Sequence, residues 1–196
     1  MHSVTSLDQV TGGFIGSAVT VGKFDGIHQG HQKLISALTQ AAAEHSIQSV
    51  VVTFDRHPDA LLKPGHAKLP IIGPKQKHDL IAKHDVDVLV TLPFDEALAS
   101  LSPEDFVQAI LCDGLKAKIV LVGEDFRFGN RGSGDVHLLH DLGQQLGFEV
   151  RVIASAMLDG EKISSSAIRE ALDAGDVVKA RKMLGHVHTC VGIIEH

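Results

Sequence analysis

Two histidines set three residues apart, His28 and His31, lie in the stretch V-T-V-G-K-F-D-G-I-H-Q-G-H-Q, residues 19–32. The β-branched run Val19, Thr20 and Val21 reads as a strand that breaks at Gly22, and a helical pattern opens near Gln32. A strand-loop-helix junction aims free backbone N–H groups and the positive end of a helix dipole at one spot, which suits a phosphate. Positions three apart share a helix face, so both imidazoles can reach one anion. Gly26 and Gly30 lack a Cβ and let phosphate oxygens approach the main chain. Two other readings stay open here: polar surface in a turn, or half of a zinc site. The zinc reading needs further ligands, and the two cysteines, Cys112 and Cys190, are far away in sequence.

Two more stretches offer chemistry. Ile163-Ser164-Ser165-Ser166-Ala167-Ile168-Arg169 opens a helix, where serines can cap the helix or meet a phosphate, and Arg169 shares a face with Ser166. Glu124 to Gly134, E-D-F-R-F-G-N-R-G-S-G, is a Gly-rich loop holding Phe126 and Phe128. It reads as a binding loop or as a surface turn whose aromatics tuck into the core.

The elements between these loops alternate. Gln32 to His45 carries Leu34, Ile35, Leu38, Ala41 and Ala42 at helical spacing, and Ile47 to Phe54 is a near-continuous β-branched strand. Asp55 to Pro70, with Pro58, Pro64, Gly65 and Pro70, reads as a loop over strand ends. Pro74 to His84 reads as a helix and Val86 to Leu92 as the third strand. A helix then starts at Ser102-Pro103-Glu104-Asp105, with Ser102 as cap and Pro103 in the first turn, and ends at Gly114. Lys118 to Gly123 gives a fourth strand, Asp135 to Gly147 a helix, and Phe148 to Ala156 a fifth strand. Asp159-Gly160 is a turn, and Val177 to Leu184 a last helix closed by Gly185. Such alternation predicts an α/β fold, a parallel sheet of about five strands with helices on both faces and ligands at the carboxyl ends of the strands. The loops at 22–31, 124–134 and 163–169 are expected to converge on one cleft there.

Composition bounds the partners. The 196 residues, 44% hydrophobic, suffice for one substantial core. A formal charge of -6, from 18 Lys+Arg against 24 Asp+Glu, leaves no basic footprint for nucleic acid, while a small phosphorylated ligand remains possible. Two isolated cysteines make no disulfide framework, and neither a signal peptide nor a membrane-length apolar run is visible. The expectation is a cytoplasmic chain with small-molecule partners and no membrane or nucleic acid. Nothing in the sequence sets an oligomeric state.

The ordered motifs also carry a resemblance. G-K-F-D-G-I-H-Q-G-H looks like the HxGH phosphate motif of the nucleotidyltransferase superfamily, and I-S-S-S-A-I-R looks like its partner segment, I-S-S-T-x-x-R. With F-D-R-H-P at Phe54 to Pro58 and V-G-E-D-F-R-F-G at Val122 to Gly129 between them, the chain resembles the FMN adenylyltransferase module of bacterial bifunctional riboflavin kinase/FAD synthetases, over about residues 15–190. The pattern departs at Lys23, where the family usually has Asn, at Arg56, where it has Pro, and at Ser166-Ala167, where it has Thr-Arg.

The resemblance implies a Rossmann-like, doubly wound sheet of the HxGH type and the reaction of ATP with FMN to give FAD and pyrophosphate. It implies His28, His31 and Arg169 as catalytic groups, and Gly22, Phe24, Asp25, Gly26, Gly30, Ser165 and Ser166 around ATP. FMN is expected against Phe54, His57, Pro58, Asp125, Phe126, Phe128 and Asn130. Mg²⁺ is expected to be held mainly by phosphates and water, without a protein cage; Asp25 is either its outer partner or a turn-forming residue of its own loop. Residues 1–185 are expected to form the adenylyltransferase domain. Residues 186–196 resemble the lead into a riboflavin kinase domain absent from this chain. The alternatives are transfer to another phosphorylated acceptor, such as pantetheine phosphate, nicotinamide mononucleotide or an alcohol phosphate, and a flavin- or ATP-binding module without catalysis.

Overall fold

A computed structural model describes residues 1–10, 15–62, 65 and 68–192. Part of the expected 55–70 loop (63–64 and 66–67) and the end of the expected tail (193–196) lie outside the described residues. The strands are β1 (His2–Val4), β2 (Ser17–Val21), β3 (Gln48–Phe54), β4 (Val88–Leu92), β5 (Ala117–Gly123) and β6 (Glu149–Ile153). They form one six-stranded sheet in the order β1-β4-β3-β2-β5-β6, and every pairing is parallel. This is the expected Rossmann-like α/β fold with one strand more than the five read from sequence. Strand β1, three residues long, is too short to show a period, and it pairs with Val88–Val90 at the sheet edge.

Neighbouring side chains of the central strands go to opposite faces, as the pleat requires. Val51, Ile119 and Leu121 join one apolar cluster, while Val50, Val52, Val120 and Val122 join the other. The first cluster is covered by α1 (Gln29–His45), α3 (Pro74–Ala82), α7 (Ser165–Asp173) and α8 (Val177–Leu184). The second is covered by α6 (Val136–Leu146) and by α5 (Pro103–Phe106), which continues as π-helical turns over Val107–Gly114. Ser102 caps α5 as expected, its hydroxyl accepting from the Asp105 N–H, and Gly147 ends α6 in the left-handed conformation.

Smaller differences are local. The 55–70 loop contains a five-residue helix, α2 (Pro58–Leu62), and a second short helix, α4 (Glu96–Ser100), precedes α5. Asp159-Gly160 turns a two-residue hairpin, β7 (Met157–Leu158) with β8 (Glu161–Lys162). Residues 186–192 have no regular structure. They are nevertheless tied down: His186 Nε2 lies 2.9 Å from the Gly26 carbonyl, His188 Nε2 3.0 Å from the Ile71 carbonyl, and Gln76 Nε2 donates to the Thr189 carbonyl at 2.8 Å. Among the described residues no helix is long and apolar enough to cross a membrane.

The topology reverses between β2 and β5, because the chain leaves β2 through α1 toward β3 while β5 lies on the other side. A crevice opens at such a point beyond the carboxyl ends of the strands. The loop from β5 reaches it and is anchored behind it: Phe128 and Gly134 exchange backbone hydrogen bonds, and the Asn130 N–H donates to the Leu101 carbonyl at 2.7 Å. Gly129 holds φ 70°, and a Cβ there would lie 2.7 Å from the Pro103 nitrogen. Gly129→Ala should therefore cost about 2–3 kcal/mol, combining left-handed strain with a backbone clash. Urea denaturation measures it, and a loss below about 0.5 kcal/mol, the scatter of ordinary surface changes, would refute this anchoring.

Candidate functional site

The loop from Gly22 to Gln29 sets the site. Phe24 and Ile27, both buried, take positive φ (48° and 41°), and Gly26 takes 89°. Bulky residues avoid this region, at a cost of about 1–3 kcal/mol each, so strong contacts must hold the loop. Asp25 supplies them. Its side chain is buried, Oδ1 accepts from the Ile71 N–H at 2.9 Å and the Ile72 N–H at 3.4 Å, and Oδ2 pairs with Arg169 Nη2. Arg169 also donates through Nε to the Leu69 carbonyl (2.9 Å) and through Nη1 to the Ser165 carbonyl (3.2 Å). Three of the five guanidinium N–H groups are thus spent inside the protein. Asp25 is accordingly neither a turn former bonded to its own loop nor a free metal partner: it latches the loop to α7 and to segment 69–72.

Consecutive side chains of this loop face different ways and divide the site in two. Gly22 and Phe24 line a cleft of about 240 Å³ at the topological switch point, with His28, Gly30, His31, Gly123, Phe126, Ile153 and Ser164. Lys23 and Asp25 line a second cleft of about 400 Å³ beyond β3 and β4, with Thr53, Phe54, Arg56, His57, Leu69 and Lys77. The three loops thus meet at the first cleft, as expected, and the first of them also walls the second, adjoining cleft.

His28 is the N-cap of α1, its Nδ1 accepting the His31 N–H at 3.3 Å, which leaves the proton of a neutral ring on Nε2. The His31 ring stacks on it with centroids 3.6 Å apart and meets the edge of Phe24 at 5.1 Å. Burial pushes the His28 pKa down from 6.5 to about 4. His31 is also held well below its ordinary value, first by burial and then by the charges of His28 and Lys77. Both rings are neutral near pH 7. The buried Nδ1 of His31 has no partner within the described protein, the condition of a group kept for a ligand or water.

The other expected residues separate. Asp125 and Phe126 line the first cleft, Asp125 paired with Lys162; Phe54 and His57 line the second; Pro58 lies at the start of α2 outside both. Phe128 is core: it is 5% exposed and packs between Phe126 at 5.4 Å and Phe106 at 5.9 Å. Asn130 is exposed and lines neither cleft, its backbone serving the anchor described above. Gly26 faces neither cleft, since a Cβ there would meet Leu184 at 3.2 Å and Ile71 at 3.3 Å. Its glycine serves packing and the positive φ rather than access to an anion. Ser164, not Ser165 or Ser166, caps α7 and lines the first cleft. Ser165 Oγ donates to the Asp25 carbonyl at 2.9 Å, and Ser166 Oγ lies 3.3 Å from Lys68 Nζ. Lys77, Thr53 and Leu69 lie in no motif and were not singled out from the sequence. A Lys one turn into an amphipathic helix looks like any solvated charge.

Among known proteins, the sequence profile of the FAD synthetase family matches residues 14–167. The chain belongs to the FAD synthetase family. It is 35% identical over 181 residues to a bifunctional riboflavin kinase/FMN adenylyltransferase of Buchnera aphidicola subsp. Schizaphis graminum, covering 92% of this chain and 58% of that relative. The Escherichia coli K12 protein of the same description is 31% identical with the same coverage. The chain therefore spans little more than half the length of these curated relatives. A solved structure from Streptococcus pneumoniae, described as a macrolide-efflux protein, matches with a TM-score of 0.83 at 31% identity, covering 95% of this chain and 70% of that one. A pantoate-beta-alanine ligase from Francisella tularensis shares the fold, with a TM-score of 0.57 at 16% identity, covering 94% and 78%.

Two outcomes test this site of the FAD synthetase chain. The unfolded His28 imidazole takes its proton near pH 6.5 and the folded one only near 4, so acid favours unfolding across that window. His28→Asn keeps a capping acceptor and removes the titration. The variant should lose less stability than the wild type between pH 6.5 and 4, by up to about 3 kcal/mol, in chemical melts taken at each pH. Arg169→Met strands the buried Asp25 charge and should cost about 3–5 kcal/mol, while Asp25→Asn with Arg169→Met recovers part of it. Additive losses in that cycle would refute the latch.

Proposed function

We propose that this chain transfers AMP from ATP to FMN, giving FAD and pyrophosphate. The observation that carries the reading is the pair of adjoining clefts divided by one loop, with the His28/His31 stack and the α1 N-terminus on one side, in a chain of the FAD synthetase family. Its relatives are described as FMN adenylyltransferases, which fits the same reaction. We assign ATP to the cleft at the switch point and the flavin to the cleft holding Phe54, His57 and the 69–72 segment.

In this reading an oxygen of the FMN phosphate attacks the α-phosphorus of ATP, and the bond to the bridging oxygen of the β-phosphate breaks. The nucleophile is already largely dianionic at pH 7, since a phosphate monoester loses its second proton near pH 6. No side-chain base is required, and the protein acts by positioning and charge stabilisation. The α1 N-terminus and the Nε2–H of His28 face the charge that grows on the phosphates, and a neutral pair that has shed its water makes these contacts strong. Arg169 acts by fixing the Asp25 loop, since its guanidinium is turned to Leu69, Ser165 and Asp25 and lines neither cleft. Bound magnesium would neutralise charge on the phosphates; the nearby carboxylates are engaged, Asp25 by Arg169, Asp125 by Lys162 and Glu124 by Ser155, so phosphate oxygens and water would be its main ligands. Residues 1–185 form the catalytic unit of this reading, in a cytoplasmic setting.

Incubation with ATP, MgCl₂ and either FMN or riboflavin, followed by chromatographic separation of the flavins, tests it directly. FAD from FMN, with no product from riboflavin, is expected. No FAD from FMN, with both ligands still bound, would overturn it in favour of a binding module. His28→Ala and His31→Ala should each lower kcat by about 100-fold or more while changing the FMN Kd by less than about threefold. Near wild-type turnover in both would remove the histidines from the mechanism.

A further inference from the structure

Three lysines line the flavin-side cleft, and they differ. Lys23 and Lys68 are exposed, whereas Lys77, on α3, is half-buried. Its Nζ donates to the Lys23 carbonyl at 2.9 Å and lies 3.4 Å from Thr53 Oγ1. Lys23 stands in the loop that divides the clefts, so the ammonium is pinned against the dividing wall. Among the described residues the lysine ion pairs belong to Lys75, Lys162 and Lys179; Lys77 makes none, and the charges of Asp25 and Asp55 in the same cleft reach it without direct contact. An ammonium has three donors, and the two contacts here, a carbonyl and a hydroxyl, are neutral. A half-buried cation with no anion bonded to it is costly, and its unused donor fits a place where an anion arrives. Burial lowers the Lys77 pKa, and the charge of Lys77 is in turn felt by His31 across the wall.

We propose that Lys77 binds the phosphate of the acceptor mononucleotide and holds it at the wall between the two clefts. The ligand chemistry is a dianionic phosphate monoester whose ring system occupies the rest of the cleft. This inference rests on the reading of the preceding subsection and extends it: the flavin-side cleft recognises its substrate by the phosphate, and riboflavin, which has none, forgoes that contact. The same contact holds the attacking oxygen against the dividing loop, whose other side faces His28.

The test compares FMN with riboflavin on the full chain. Lys77→Gln retains a donor for the Lys23 carbonyl and removes the charge; Lys77→Met, which keeps the aliphatic stem, is the second variant should the first fail to fold. Flavin fluorescence titration should show the FMN Kd rising about 10- to 100-fold, the effect of one charge-assisted hydrogen bond, with riboflavin binding changed less than about twofold. In steady-state FAD formation the KM for FMN should rise while that for ATP holds, and Lys77→Arg should recover most of the loss. Equal losses for FMN and riboflavin would make Lys77 a mere buttress and overturn the proposal. So would unchanged FMN affinity, or a loss confined to ATP. Failure of the parent reading shows separately, as absence of FAD from the wild-type chain, while the titration still reads whether Lys77 distinguishes a flavin phosphate from a flavin.

Discussion

A carboxylate shut away from water must find its solvation inside the protein, and the arrangement of this site follows from how Asp25 does so. Two backbone N–H groups and one guanidinium satisfy it. These partners come from the segment after the 55–70 loop and from α7, near the other end of the chain in sequence. Breaking the pair would leave a buried charge uncompensated, far costlier than the modest net gain of forming it. The energy so held is what lets Phe24 and Ile27 stay in a backbone region that bulky residues avoid. Once they are held there, the loop is narrow and its consecutive side chains point into different clefts.

The histidine pair depends on the same loop. Phe24 packs edge-on against His31, and His28 caps the helix that the loop enters. Burial keeps both rings uncharged at neutral pH. Two imidazolium ions stacked at 3.6 Å would repel, so a neutral pair is also what allows the stack to exist. In the proposed reaction a substrate phosphate would bring the opposite charge and favour N–H donation by the ring. The site thus spends no energy restraining like charges before substrate arrives.

How much of this could be read from the sequence varies with the kind of signal. The central strands announced themselves because a strand buried on both faces is a continuous β-branched run, as in Ile47 to Phe54. The helix start at Ser102 was legible from cap chemistry. Strand β1 was not, because three residues carry no period. The histidines were found because glycines and a strand end gave their spacing a mechanism. Arg169 was found too, but its partner Asp25 lies 144 positions away, a pairing that only the topology creates. Phe126 and Phe128 look alike in E-D-F-R-F-G and stack on one another, yet only the outer ring, Phe126, reaches the cleft, while Phe128 lies beneath it in the core. Lys77 left no trace at all, since its surroundings come from three separate segments.

The thinness of the wall bears on chemistry that works by placement. Effective molarity from positioning demands that reacting atoms approach to about 3–3.5 Å. In the proposed reaction two nucleotides in separate clefts would meet that demand only where the protein between them is no thicker than a single strand of backbone. A loop in which Gly22 and Phe24 serve one side while Lys23 and Asp25 serve the other is that structure. A helix or a packed pair of side chains in the same place would hold the substrates about 8–10 Å apart, the spacing of packed helices. The strain in the loop is then explicable as the cost of using bare backbone as a partition, and the buried latch as what keeps that partition still.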